Sequence, residues 1–121
     1  MIANFEKITT ELTKEEKLLI NPLINGFKTH NKKNPVKSNL VVEKMNSYIK
    51  TKNLKIKMTG VRLRKCINYI RTNALCPIIG TSAGYYVSNN KTDVEKQIQS
   101  LLERAESINN CAKGLQNILR A

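Results

Sequence analysis

A chain of 121 residues supports one domain with one modest core. Its apolar fraction of 40% predicts a folded protein, and with few aromatic residues and no Trp the core must be built from Leu, Ile and Val. A formal charge of +12 and a pI near 9.9 favour a polyanionic partner that relieves self-repulsion, and no apolar run approaches the length of a membrane-spanning helix.

Residues 1–12 have no clear period. Ile2, Phe5, Ile8 and Leu12 make only a weak amphipathic stripe, and the segment is expected to be an N-terminal arm. Thr13 opens the first helix, with Glu16 three residues on completing a capping box. Leu19, Leu23, Ile24 and Phe27 form its inner face, and Pro22 inside the pattern predicts a kink or a division into two short helices. The pattern ends by about Thr29. His30 to Lys37, HNKKNPVK, reads as a polar loop broken by Pro35, its lysines either touching phosphate or simply solvated. Ser38 is expected to cap a second helix, roughly Asn39 to Thr51, with Leu40, Val41, Met45, Tyr48 and Ile49 turned inward. Residues 53–58, NLKIKM, alternate apolar and basic and predict a short edge strand beside a later hairpin.

Thr59 caps the third helix, which Asn73 stops ahead of Pro77. Leu63, Cys66, Ile67 and Ile70 make its buried stripe, and Val61, Arg64, Lys65, Asn68 and Thr72 fall mostly on the other side. Two short runs, Pro77–Gly80 and Tyr85–Ser88, flank the turn formers Thr81 to Gly84 and predict a hairpin. Of Tyr85 and Tyr86, one should face the core and the other solvent. Thr92 is expected to cap a last helix reaching about Leu119. Its residues Val94, Ile98, Leu101, Ala105, Ile108, Ala112, Leu115 and Leu119 alternate spacings of four and three, and Leu102, Cys111 and Ile118 widen the seam. Such a seam suits either packing on the same domain or a homodimer. The expectation is a mixture, the first half docked and the second half, Leu101 to Leu119, meeting a partner.

Helix, helix, short strand, helix, hairpin is the order of a winged helix-turn-helix. The fold class read here is mainly α (α+β): a winged helix-turn-helix domain over 13–91 and a long C-terminal helix over 92–121. The charge is concentrated where such a domain meets DNA. Residues 28–65 hold 12 Lys plus Arg and a single acid, Glu43. The alternative for so basic a segment is a lysine-rich surface that serves solubility.

No catalytic constellation is present. There is one His, no phosphate-binding glycine loop, and no nucleophile beside a base, so the chain is not expected to be an enzyme or to take a small-molecule substrate or cofactor. The cysteines, Cys66, Cys76 and Cys111, are widely spaced and odd in number, which predicts no zinc site and a reducing, cytoplasmic setting. Cys66 and Cys111 lie on apolar stripes and are expected to be buried. The chemistry left is binding. Thr59, Val61, Arg62, Lys65 and Asn68 would face base edges, where Arg suits guanine, Asn adenine and Val a thymine methyl. Lys37, Ser38, Lys44, Lys50, Lys55, Lys57, Arg64, Arg71, Thr81 and Ser82 would reach the DNA backbone.

The segment MTGVRLRKCINYIRTNALCPIIGTSAGYYVS resembles small phage and prophage winged-helix proteins, in which a VRLRKxINYIR helix precedes a PIIGTSxGYYV wing and a long helix follows. The wing also resembles that of the biotin-operon repressor type. The resemblance spans about residues 13–119 and is specific between Val61 and Val87. It implies a DNA-binding fold and a host-cell cytoplasmic location, without implying an operator. Two functions stay open. One is a phage or prophage double-stranded DNA-binding protein, either a transcriptional regulator or a replication accessory. The other is a phage interaction protein that grips and modulates an acidic host protein, such as a polymerase or nuclease, through its winged domain or long helix.

Overall fold

A computed structural model describes residues 11–121. The arm expected over 1–12 therefore lies outside the described residues, apart from Glu11 and Leu12, and Leu12 is buried in the core. The chain divides into two compact units between Ser88 and Asn89. The described residues are mainly helical, with a two-stranded antiparallel sheet and a long C-terminal helix.

Helix α1 is the single turn Lys14–Lys17, and α2 runs Ile20–Phe27. The capping box forms as the sequence indicates: the Thr13 hydroxyl accepts from the Glu16 N–H at 3.2 Å, and Glu16 Oε1 accepts from the Thr13 N–H at 2.9 Å. The division falls ahead of Pro22. Proline in a continuous helix would lack its N–H and crowd the carbonyl four residues back, whereas in the first turn of a new helix neither matters. Leu19, Leu23, Ile24 and Phe27 are buried.

The loop after α2 does more than the polar reading allowed. Val36 forms an antiparallel bridge with Tyr85, each N–H donating to the other's carbonyl at 2.8 Å. Helix α3 spans Ser38–Thr51. Its N-cap is Lys37, which makes no side-chain cap bond, so Ser38 is the first helical residue rather than the cap. Val41, Met45 and Ile49 are buried, whereas Leu40, expected inward, is exposed. It stands about 100° around the helix from Val41, away from that stripe.

Residues 53–58 form no strand. Asn53 turns the chain with φ 55°, and the backbone of Met58 bonds a side chain instead of a ladder. Asn46 Nδ2 donates to the Met58 carbonyl at 3.1 Å, and the Met58 N–H donates to Asn46 Oδ1 at 2.8 Å. The alternation is nonetheless real as burial, because Leu54, Ile56 and Met58 all pack on the core.

Helix α4 spans Gly60–Thr72 with Thr59 as N-cap, and Leu63, Cys66, Ile67 and Ile70 form its buried stripe. Strands β1 (Ile78–Thr81) and β2 (Gly84–Val87) pair antiparallel, from Ile78 opposite Val87 to Thr81 opposite Gly84, around the Ser82-Ala83 turn. Gly84 has φ +132°, and a Cβ there would lie 2.5 Å from the Val36 carbonyl oxygen. Glycine is thus required twice, by conformation and by the bridge. Neither tyrosine points to solvent as expected. Tyr86 is buried, and Tyr85 meets the Phe27 ring edge-on at 5.8 Å.

The second unit is helix α5, Lys91–Arg120, capped by the Asn90 side chain rather than by Thr92. No residue of α5 is buried, and Cys111, expected buried, is exposed. The apolar stripe it flanks is itself unburied, so the spacing marked an amphipathic face without a cover. Among the described residues no helix is long and apolar enough to cross a membrane.

Candidate nucleic-acid interface

The local geometry of α4 divides its polar residues into two sets. The Thr59 hydroxyl accepts from the Arg62 N–H at 3.2 Å and fixes where the helix starts. Gly60, Arg64, Asn68 and Thr72 are all exposed. Spaced four apart, they form one ridge along the helix, with Val61 half-buried beside its first turn. A Cβ at Gly60 would meet nothing within 4 Å, so the backbone there is open to approach.

The second set turns toward α1. Glu16 is buried, and its carboxylate accepts from Lys65 Nζ at 2.7 Å, from Arg62 Nε at 2.8 Å and from the Thr13 N–H at 2.9 Å. Arg62 also donates to the Lys57 carbonyl at 2.6 Å. Burial alone would raise the Glu16 carboxyl. The hydrogen bonds from Lys65, Thr13 and Arg62 outweigh it and hold the group at about 2. Arg62 and Lys65, both expected at base edges, are thus tied to a buried carboxylate, and the Lys65 side chain keeps only 11% of its exposure. The sequence carried a signal for this. Leu12, Glu16, Leu19, Leu23 and Phe27 share one helical stripe, and an acid on an apolar stripe requires cationic partners.

Of the other base-edge residues, Thr59 and Asn68 are exposed and Val61 is half-buried. Arg64, assigned to phosphate from sequence, stands in the ridge itself. Arg71, also assigned to phosphate, donates from Nε to the Ile78 carbonyl at 3.0 Å and ties α4 to β1. Lys44, Lys50, Lys55 and Lys57 are exposed, as are Lys28, Lys32, Lys33 and Lys52.

The structure brings Lys37, Ser38 and the hairpin turn together. The Val36–Tyr85 bridge lays the start of α3 along β2, and a Cβ on Gly84 would lie 3.1 Å from the Lys37 nitrogen. Since α3 lacks a side-chain cap, the N–H groups of its first turn carry the positive end of the helix dipole beside the exposed Lys37 and Ser38. The Thr81 hydroxyl donates to the Gly84 carbonyl at 3.1 Å and accepts from the Ala83 N–H at 3.2 Å, so it shapes the turn, while Ser82 is exposed at its tip.

The two buried thiols are muted. Burial, with the nearby Glu16 carboxylate, pushes the Cys66 thiol up to about 11, and burial also raises Cys76. Among the described residues no group of three or more His, Cys, Asp or Glu is placed to hold a metal. Comparison with known protein families, with curated proteins and with solved structures found no match.

Proposed function

We propose that the protein binds double-stranded DNA sequence-specifically, as a transcriptional regulator or replication accessory, through a winged helix-turn-helix. In this reading α3 and α4 are the helix-turn-helix, β1 and β2 are the wing, and the Val36 bridge adds a one-residue third strand to it. The observation that carries it is the exposed ridge Gly60, Arg64, Asn68 and Thr72 on a helix followed at once by a hairpin. Such a helix lies in the major groove with its ridge on base edges. Arg64 is matched to guanine O6 and N7, and Asn68 to adenine N6 and N7. Gly60 at the N-terminal end lets the backbone come close. The uncapped start of α3, with Lys37 and Ser38, is suited to a phosphate, and the turn at Ser82 to the adjoining backbone.

The test is selection from a pool of random duplexes followed by salt titration of the enriched site. One sequence should dominate. With roughly four to eight phosphates contacted, the log–log salt slope should be about −4 to −7. A slope near zero, or indifference to sequence together with tight binding to an acidic protein, overturns the proposal.

A further inference from the structure

The long helix carries an apolar row with no buried member. Ile98 is 50% exposed, Ile108 63%, Leu115 65% and Leu119 87%. From the spacing, Val94, Leu101, Ile108 and Leu115 take d positions of a heptad, and Ile98, Ala105, Ala112 and Leu119 take a positions. We infer that this row is the interface of a homodimer in which two α5 helices pack antiparallel. The inference is independent of the DNA-binding reading.

The direction follows from the sizes of the seam residues. In a parallel pair each a residue meets its own copy. Ala105 would face the partner's Ala105 and Ala112 the partner's Ala112. Two small–small layers would then alternate with Ile–Ile and Leu–Leu layers, leaving gaps beside the large ones, and gaps forfeit contact energy. In an antiparallel pair a meets d. The register that overlaps the helices fully sets Val94 against the partner's Leu119, Ile98 against the partner's Leu115, Leu101 against the partner's Ala112, and Ala105 against the partner's Ile108. Every alanine then faces a large aliphatic residue, and all eight seam positions are covered. Sliding by one heptad keeps the size match at fewer layers and leaves large residues at one end uncovered.

Charge does not choose the direction. The flanking positions hold Glu95, Leu102, Asn109 and Gln116 on one side and Gln97, Arg104, Cys111 and Ile118 on the other. No like charges meet in either arrangement, so packing decides. The helix is about 45 Å long at 1.5 Å per residue. A contact strip about 10 Å wide buries roughly 900 Å² over both helices, at the small end of specific interfaces, so the association should be weak and reversible. The two domain-bearing ends would sit roughly 50 Å apart rather than side by side.

Sedimentation equilibrium of the unaltered protein up to about 300 μM should show a reversible dimer. Direction is then read by disulfide trapping in a Cys111→Ser background, with Cys66 and Cys76 buried and silent. In the antiparallel register Ile98 lies about 25 Å from the partner's Ile98, and likewise for Leu115, beyond the reach of a disulfide. Ile98→Cys alone and Leu115→Cys alone should therefore stay uncrosslinked on oxidation, whereas an equimolar mixture of the two should yield a covalent heterodimer. A second readout is Ala112→Leu, which leaves helix propensity nearly unchanged. It overpacks against the partner's Leu101 and should weaken the dimer at least about fivefold. A protein monomeric at the highest concentration, covalent dimers from either single variant, or tighter association on Ala112→Leu each overturns the inference.

Discussion

Replacing Glu16 with Gln tests whether the carboxylate under α4 is a working part of the fold. The Glu16 carboxyl is held at about 2 against an ordinary value of 4.5. That displacement corresponds to about 3 kcal/mol of folding free energy, at about 1.4 kcal/mol per pH unit. The folded-state value is the lower one, so the contribution is complete above the unfolded value and is lost as pH falls from about 4.5 toward 2. Gln keeps the volume and an acceptor for the Thr13 N–H, but it cannot offset the charges of Lys65 and Arg62. The assay is urea denaturation of both proteins between pH 6 and pH 3 at fixed ionic strength. The unaltered protein should exceed Glu16→Gln by about 3 kcal/mol at pH 6, narrowing to about 1.5 kcal/mol at pH 3. Other carboxylates titrate in both proteins and cancel in the difference. A gap that stays constant across this range would refute the argument, because it would mean that the Glu16 charge is no better held in the folded chain than in the unfolded one.

Arg62→Ala should destabilise the fold by about 2 kcal/mol, since it leaves a buried carboxylate with one cation fewer, and it should leave base preference intact. Arg64→Ala should leave stability within about 0.5 kcal/mol, measured by the same denaturation, while costing roughly 1–3 kcal/mol of discrimination at one base pair in a competition assay. Gly60→Ala should fold at least as well as the parent, because its site is open; a fall in DNA affinity without a fall in melting temperature would mark close backbone approach to the groove. Gly84→Ala should cost at least about 2 kcal/mol, as φ +132° and the Val36 carbonyl both oppose a side chain, and hydrogen exchange at Tyr85 should accelerate.

Much of the local architecture was legible in the sequence because it depends on residues three or four apart. The capping box at Thr13 and Glu16, the stripe Leu63, Cys66, Ile67 and Ile70, and the hairpin around Ser82 all declare themselves in short windows. Spacing does not say what a segment pairs with. The alternation at 54–58 reported burial correctly and pairing wrongly, because the partner of Met58 is the amide of Asn46, twelve residues earlier on the face of a helix. The rung that does join β2 comes from Val36, a single apolar residue in a loop whose composition is polar. The same limit applies to the site. Arg62 and Lys65 look like reading residues on a helical wheel, and only the distant Glu16, 46 and 49 residues before them, withdraws them.

In the proposed function, the pairing of Arg62 and Lys65 with Glu16 changes the kind of recognition open to α4. With five polar residues free along its outer side, the helix would combine readout and charge in one element. With Arg62 and Lys65 bound to Glu16, the exposed ridge keeps one cation, Arg64, and one amide, Asn68, between two small residues. In the proposed function the positive charge that sets affinity must then come mainly from α3, its flanking loop and residues 50–57, where Lys28, Lys33, Lys37, Lys44, Lys50, Lys52, Lys55 and Lys57 are exposed. The proposed function thus divides specificity and affinity between two elements, and predicts that a substitution in either moves one without the other. The buried ion cluster also fixes α4 rotationally about its own axis, because Arg62 and Lys65, three residues apart on one face, are held by one carboxylate. In the proposed function a ridge of only two base-reading side chains needs that fixed orientation, since a rotation of one residue, about 100°, would turn Arg64 and Asn68 away from the groove altogether.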